Sequence, residues 1–244
     1  MAKSRRRYLR TTLLGIAAMG TLIWAAIDQF GIPVKEMVDL LLDHGASASV
    51  VYKGANAYGY ARVFGNRTVA LAIEARGVVP DLSPTEAVLA RLADGDAPKD
   101  TWVNPEDLAP AYRGMIREIL HVPGKLEHVK RLVAAGLEYD RPDSEGLTPV
   151  QVAGWEGLPE VLAYFLRLKP DLSHINGYGG TLLSTILHGA DNNPNRDGRD
   201  YLACLELVLT EGVALPRSAL NVTARSDVNS FLSDWAKAHP GQVI

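Results

Sequence analysis

Apolar residues follow a helical period along most of this chain, and one uninterrupted apolar run stands near its beginning. The run covers Thr11–Ile27 and has no charged residue. As a helix it would extend about 26 Å, close to the ~30 Å hydrocarbon core of a bilayer. It is preceded by five basic residues and no acidic one: Lys3, Arg5, Arg6, Arg7 and Arg10. Because basic flanks stay in the cytoplasm, we predict a cytoplasmic tail over 1–10 and a transmembrane signal-anchor helix over 11–28.

Two other interpretations of this segment stay open, a cleaved signal peptide and a buried helix of a soluble core. Cleavage needs small residues at positions −1 and −3, and Ile23 or Trp24 would occupy −3. Ser4–Arg10, with its paired arginines, aromatic residue and leucine in register, resembles the twin-arginine export signal. That resemblance implies a bacterial protein that folds before export. We therefore expect a single-pass protein of the bacterial inner membrane with a periplasmic C-terminal domain.

Two stretches of the remaining chain repeat each other at a constant spacing of about 33 residues, a length typical of repeat architectures. Asp143, Gly146 and Thr148 of the first correspond to Asn176, Gly179 and Thr181 of the second. The unit Asp143–Pro170 resembles the ankyrin repeat, from which it departs at Gly154 and at the closing Lys169-Pro170. The resemblance implies an all-α ankyrin-repeat solenoid of stacked helix pairs over 105–244.

The local chemistry of this unit is consistent with a helix pair. Thr148 is suited to the N-cap of the first helix and Pro149 to its first turn, where a missing N–H costs nothing. Gly146 suits a turn that needs a positive φ. The second helix then presents an apolar face to the core between repeats, formed by Val161, Leu162, Phe165, Leu166 and Leu168.

The flanks of this region depart from the repeat pattern, as solenoid ends usually do. We predict a degenerate unit with helices over Tyr112–Leu120 and Leu126–Ala135. The spacing between equivalent residues then increases by ten, and the insertion is predicted to form the loop Ala190–Asp200. A C-terminal capping pair follows over Pro216–Val222 and Asp227–Ala238, which buries Phe231 and Leu232 and exposes Asp227, Asp234 and Lys237.

The region 33–104 is predicted to be helical, as divergent N-terminal ankyrin repeats or as a spacer. Val34–Leu42 is an amphipathic helix that looks like the second helix of an ankyrin pair. Residues 47–66 are rich in Gly, Ala and Tyr and are expected to form a long finger or an irregular loop. Thr68–Arg76 and Thr85–Ala93 are predicted to form a helical hairpin, with Ser83-Pro84 at the start of its second helix.

The sequence contains no nucleotide-binding, hydrolase or zinc-protease motif. The single cysteine, Cys204, lies on an apolar helix and is expected to be buried and inert. The loop beginning at Asn193 faintly resembles a calcium loop, but its twelfth position is Cys204 rather than Glu. We predict no metal and no cofactor. Beyond the first ten residues the chain has 20 basic and 28 acidic residues, a net charge of −8, which argues against nucleic acid as a partner.

The resemblance to ankyrin repeats also implies a binding surface at the hairpin tips and the exposed side of the first helices. The positions carried over are Tyr112, Ser144, Glu145, Leu147, Trp155, Glu156, Tyr178 and His188. Trp155 has a second interpretation, packing between neighbouring repeats. We expect a membrane-anchored scaffold that binds another protein, as an accessory subunit, an assembly factor or an immunity-type inhibitor. The alternatives are a soluble cytoplasmic ankyrin adaptor and, third, an enzyme with its site in 33–104.

Overall fold

A computed structural model describes residues 34–77 and 79–244, and its regular elements in these ranges are helices. The first α-helices are α1 (Val34–Asp43), α2 (Ala57–Val63), α3 (Arg67–Glu74), α4 (Pro84–Asp94), α5 (Met115–Ile119) and α6 (Leu126–Ala134). They are followed by α7 (Pro149–Trp155), α8 (Pro159–Arg167), α9 (Leu182–Asn192), α10 (Tyr201–Thr210) and α11 (Ser226–Ala238). Between 34 and 77 and from 79 onward, no helix is both long and apolar enough to cross a membrane. The predicted tail and anchor over 1–28 lie outside the described residues.

The chain divides into two compact units. Unit 1 contains the described residues up to Met115 together with 130–137, and unit 2 contains 116–129 and 138–244. The sequence had suggested a division near 104/105. The difference arises because each of the short helices α5 and α6 contributes residues to both units.

Unit 1 is built from helices that pack against one another. Helix α2 packs against α3 and α4, and α1 packs against α3. Its core contains Val38, Ala61, Val69 and Ile73, each at most 5% exposed. Helix α4 begins with a capping box, in which Ser83 Oγ accepts the N–H of Glu86 and the Glu86 carboxylate accepts the N–H of Ser83.

Two expectations for this unit are corrected. The segment 47–66 is neither one long finger nor one irregular loop, because its second half forms helix α2, with Asn56 as the N-cap. The predicted hairpin of Thr68–Arg76 with Thr85–Ala93 is also wrong. Helix α3 pairs instead with α2, and α4 stacks on α2. The hydrophobic periodicity predicted the positions of these two helices. Both of them pack against α2, and the sequence did not predict α2 because its segment is rich in Gly and Ala.

Unit 2 contains two full helix pairs in sequence. Helix α7 packs on its partner α8 and on the next first helix, α9, while α8 packs on the next second helix, α10. The core between them includes Leu162, Phe165, Ile186 and Leu205, all completely buried. The N-cap position of Thr148 and the first-turn position of Pro149 are confirmed.

Left-handed backbone conformations recur at the period of the sequence. Gly146 and Gly179, one repeat apart, have φ of +74° and +76°. Gly136 and Lys169, separated by the same interval, have φ of +96° and +57°, so a lysine adopts the conformation that a glycine adopts one repeat earlier. The next member of this series is Gly212, at +89°, which follows after a longer interval because the insertion lies between. The repeat is therefore a repeat of backbone geometry.

The C-terminal region closes unit 2 differently from the predicted helix pair. Only a 3-10 turn, Arg217–Ala219, replaces the expected helix over Pro216–Val222, and α11 follows it. Leu232 is completely buried, whereas Phe231 remains partly exposed. The Gln242 side chain donates to the carbonyls of Leu209 and Val213, both at 2.7 Å. It thereby satisfies carbonyl groups at the end of α10.

Candidate binding groove

Two hairpin turns of unit 2 are built by the same hydrogen bonds. Asp143 Oδ1 accepts the N–H groups of Glu145 and Leu147, both at 2.9 Å. One repeat later, Asn176 Oδ1 accepts those of Tyr178 and Gly180, at 3.0 and 2.9 Å. Because these short polar side chains hold the turn from inside, the side chains at 145 and 178 are left to face outward.

A direct backbone bond joins the two turns. The N–H of Gly177 donates to the carbonyl of Glu145 at 2.8 Å, and a Cβ at position 177 would come within 2.5 Å of that oxygen. His174 Nε2 lies 2.7 Å from the carbonyl oxygen of Gly146. The turns are therefore held side by side, with their residues in register.

Helices α7 and α9 approach closely because each of them has a glycine where it faces the other helix. A Cβ at Gly154 would lie 2.7 Å from Cγ1 of Ile186, and one at Gly189 would overlap the carbonyl oxygen of Trp155. Ala153, the residue before Gly154, is completely buried. Gly154, a departure from the ankyrin pattern, serves this packing.

A groove of about 930 Å³ opens between the hairpin tips, the first helices and the segment 216–223. All of its lining residues belong to unit 2. Six of the eight residues predicted for the binding surface line it: Glu145, Leu147, Trp155, Glu156, Tyr178 and His188.

The other two predicted residues lie elsewhere. Ser144 is exposed on the hairpin but does not line the groove. Tyr112 belongs to unit 1 and is only 1% exposed, and its hydroxyl donates to Oε1 of Glu86 at 2.5 Å. The prediction that Tyr112 faces a partner is therefore wrong. Burial, followed by the hydrogen bond to Glu86, raises the pKa of Tyr112, so this tyrosine is a core residue.

Equivalent residues of successive repeats are neighbours along the groove. Glu145 and Tyr178 are one repeat apart, and hydrogen bonding to the Glu145 carboxylate, followed by its negative charge, raises the pKa of Tyr178. Trp155 and His188 are separated by the same interval, and their ring centroids lie 5.1 Å from each other. The groove therefore has two columns of side chains, one on the hairpin tips and one on the first helices.

Trp155 combines the two roles that the sequence left open. Its carbonyl accepts the Tyr201 hydroxyl at 2.9 Å and the Asn193 amide at 3.2 Å, which fixes the end of α7. Its ring is half-buried, lies against His188 of the neighbouring repeat and forms part of the groove wall. The backbone is thus held by hydrogen bonds, while part of the ring stays available to a ligand.

Charged groups of the groove differ in whether they have partners. Arg117 Nε lies 2.9 Å from Oδ2 of Asp143, and Glu156 lies 3.6 Å from the guanidinium of Arg199. Asp191 accepts the N–H of Ala224, at 3.1 and 3.2 Å from its two oxygens. Asp191 therefore binds a backbone group, and the positive charge of Arg225, which is paired with Asp227, acts on it from a longer distance.

Several groove residues were not anticipated from the sequence. Arg117 and His121 come from α5 and the turn after it, and Val222 and Thr223 come from the segment that follows the 3-10 turn. Helix α9 contributes residues at helical spacings of three and four to the groove: Ser184, Leu187, His188 and Asp191. Helical spacing from His188 would have indicated that row. No sequence signal indicated the segment 216–223, because the insertion interrupts the repeat before it.

Side chains suited to metal binding are not brought together by the fold. Over 34–77 and 79–244 there is no group of three or more His, Cys, Asp or Glu side chains that could hold a metal ion. Cys204 is completely buried, as predicted, and burial raises the pKa of its thiol to about 12.

Comparison with solved structures finds chains that are similar to this one. No family model and no curated protein matches the chain. The crystal structure of the human ASB11 ankyrin repeat domain is similar to it, with a TM-score of 0.47 and 18% sequence identity, over 83% of this chain and 96% of that one. With so few residues in common, the properties of the groove can be read only from its own side chains.

Proposed function

We propose that this chain is an ankyrin-repeat scaffold that binds a segment of another protein in the groove of unit 2. The observation that carries the proposal is that six residues at ankyrin contact positions line one groove. The constant spacing of the repeat, with matching turns and left-handed positions, supports the ankyrin assignment.

The groove has the properties of a protein-binding site. Its volume of about 930 Å³ lies near the upper end of the ~300–1,000 Å³ typical of ligand sites. Trp155 and Tyr178 belong to the residue types most enriched at binding hot spots, and Tyr178 is 73% exposed. Leu183 and Leu187, both nearly buried, add apolar side chains to the lining. An apolar floor with an aromatic and polar rim is the usual arrangement of an interface.

The location of the scaffold is the second part of the proposal. The basic tail over 1–10 and the uncharged run over 11–27 support a single-pass anchor in the bacterial inner membrane, with the binding units on the periplasmic side. In that place the scaffold would act as an accessory subunit, an assembly factor or an immunity-type inhibitor.

Site-specific photo-crosslinking in the native host tests whether the groove binds protein. A photoreactive residue at Ser184, exposed within the groove, should crosslink one discrete protein, whereas one at Glu206, exposed on α10 outside the groove, should not. In a chain crosslinking through Ser184, Trp155→Ala should weaken capture by at least tenfold, since a hot-spot residue contributes ~2 kcal/mol or more.

The groove assignment fails if both positions crosslink alike, or if a bulky Glu145→Trp change leaves capture through Ser184 unaltered. Thermal unfolding of Trp155→Ala separates binding from packing. A loss of ~3–5 kcal/mol, as for a core tryptophan, would show that Trp155 acts through stability instead.

A further inference from the structure

We infer that the segment bound in this groove is an extended peptide in which basic side chains alternate with apolar ones. The inference rests on the proposed function and names the chemistry of its partner. It comes from two carboxylates of the groove that form no ion pair, together with the apolar surface between them.

Two of the charged pairs at the groove are already neutralised. Arg117 is bound by Asp143, whose side chain is only 18% exposed, and Glu156 faces Arg199. A ligand gains little from either pair, because it would have to break an existing interaction. These four residues therefore do not select the sign of the ligand's charge.

Two carboxylates remain. Glu145 lies beside the hydroxyl of Tyr178, and Asp191 accepts the N–H of Ala224, while the charge of Arg225, which is paired with Asp227, acts on Asp191 from a longer distance. Within the part of the chain that the structure describes, neither forms an ion pair. A carboxylate has about four acceptor sites, so each can accept further hydrogen bonds from a cation.

A ligand that fits the surface around these carboxylates needs apolar groups as well as a positive charge. Leu147, Val152, Leu183 and Leu187 line the groove with them, and Trp155 offers part of an aromatic ring. Aliphatic side chains fill the apolar floor, while an Arg or Lys can pair with a carboxylate and lie over an aromatic ring. An extended peptide presents successive side chains in opposite directions and so supplies both kinds at once.

The net charge of the chain also favours a basic ligand. Beyond the first ten residues it carries a net −8, a field that attracts basic segments and repels acidic ones.

Three labelled nine-residue peptides test the inference by fluorescence anisotropy with the full-length chain in non-ionic detergent. The first has Leu at positions 3, 5 and 7 and Arg at 4 and 6, with Gly and Ser elsewhere. The second has Glu in place of Arg, and the third has Ser in place of Leu. We expect the first to bind at least about tenfold more tightly than either of the others.

Matched variants locate the charge. Glu145→Gln and Asp191→Asn should each weaken binding of the Leu/Arg peptide by about two- to fivefold, as expected for exposed ion pairs. Asp234→Asn removes the same charge from α11 outside the groove and should change binding by less than that. Melting temperatures of all three verify that the variants fold.

The inference is overturned if the Leu/Glu peptide binds as well as the Leu/Arg peptide, or if Asp234→Asn has the same effect as the two groove variants. It is also overturned if the Ser/Arg peptide and spermine compete as well as the Leu/Arg peptide, which would indicate a general cation site. If no peptide binds while Ser184 still crosslinks a protein, the partner chemistry is wrong and the proposed function stands. Loss of the Ser184 crosslink itself would remove the proposed function.

Discussion

The shape of the groove depends on Gly189, which has no Cβ atom. At that residue the chain of α9 comes so close to the carbonyl of Trp155 that no side chain fits between them. The atom that would be displaced belongs to backbone, which cannot rotate away as a side chain can. Because the Trp155 and His188 rings sit at this crossing, the distance between α7 and α9 also sets the width of the groove wall.

We therefore expect Gly189→Ala to destabilise unit 2 by about 1–3 kcal/mol, the usual cost of overpacking, although Ala is the better helix former. Urea unfolding followed by circular dichroism measures this change. Gly198→Ala is the matched control, since a Cβ there meets no atom within 4 Å and its φ is not positive. Equal stability of the two variants would show that the helices can separate without loss.

The thiol of Cys204 reports on the integrity of the same unit. It is the only thiol in the chain, it is completely buried, and burial raises its pKa to about 12. Only the thiolate reacts with iodoacetamide, so we expect alkylation of the native chain at about pH 8 to be at least ~100-fold slower than in denaturant. Mass spectrometry of the intact protein measures the rates. Rapid labelling of the native chain would contradict the burial of α10.

At the scale of elements, the second helices hold the repeats together through residues such as Leu166. Leu166 is 4% exposed on α8, the helix that packs against α10. Leu166→Ala should lower the free energy of unfolding by about 2–5 kcal/mol, because it leaves a cavity between repeats. Glu160→Ala, on an exposed position of the same helix, should stay within about 0.5 kcal/mol of the parent. A cost of less than ~1 kcal/mol at Leu166 would argue against the repeat register.

In unit 1, one arginine connects α3 to α1. The Arg76 guanidinium donates to Asp39 at 2.9 Å and to Asp43 at 2.6 Å. Hydrogen bonds from Lys35 and Arg76 lower the pKa of Asp39 below its ordinary 3.8, and a bond from Arg76 lowers that of Asp43. Since the folded pKa values are the lower ones, this contribution to stability is complete above 3.8 and is lost as the pH falls through the folded values.

Arg76→Gln should therefore lower the melting temperature at neutral pH, and its difference from the parent should shrink as the pH falls below about 3.8. Circular dichroism melts from neutral to acidic pH measure this. Lys99→Gln, which changes an exposed lysine of unit 1, should leave the melting temperature nearly constant throughout. A difference for Arg76→Gln that does not depend on pH would mean that the arginine acts by packing rather than by its charge.

How far the sequence predicts this molecule depends on where the deciding contacts lie. Asp143, Gly146 and Thr148 determine a turn and a helix start through neighbours in the chain, and the structure has both where the sequence places them. Tyr112 was misplaced because its hydroxyl bonds Glu86, far back in the chain and in a unit without a recognisable motif. Asp191 and Val222 were missed because the insertion separates them in the sequence, so the repeat spacing does not predict that both line the groove.

For the molecule as a whole, the uneven charge distribution predicts its placement. A basic tail and an uncharged run precede a body with a net charge of −8. A reporter that is active only outside the cytoplasm, fused after Ile244, should therefore be active, and a cytoplasmic reporter at the same position should be silent. Replacing the five basic residues of the tail by Gln should reduce the difference in activity between the two reporters. Activity of the cytoplasmic reporter in the parent chain would contradict the proposed orientation.

The pairing of equivalent residues across neighbouring repeats has a consequence for how such a surface can evolve. Glu145 lies beside Tyr178, and Trp155 beside His188, so each repeat supplies one member of each column. Duplication of one repeat unit within the gene would lengthen both columns by one residue instead of creating a second site. Recognition would then grow in discrete steps, with longer partners matched by more copies. The residues that build the turns, Asp143 and Asn176, would be copied unchanged while their neighbours diverged.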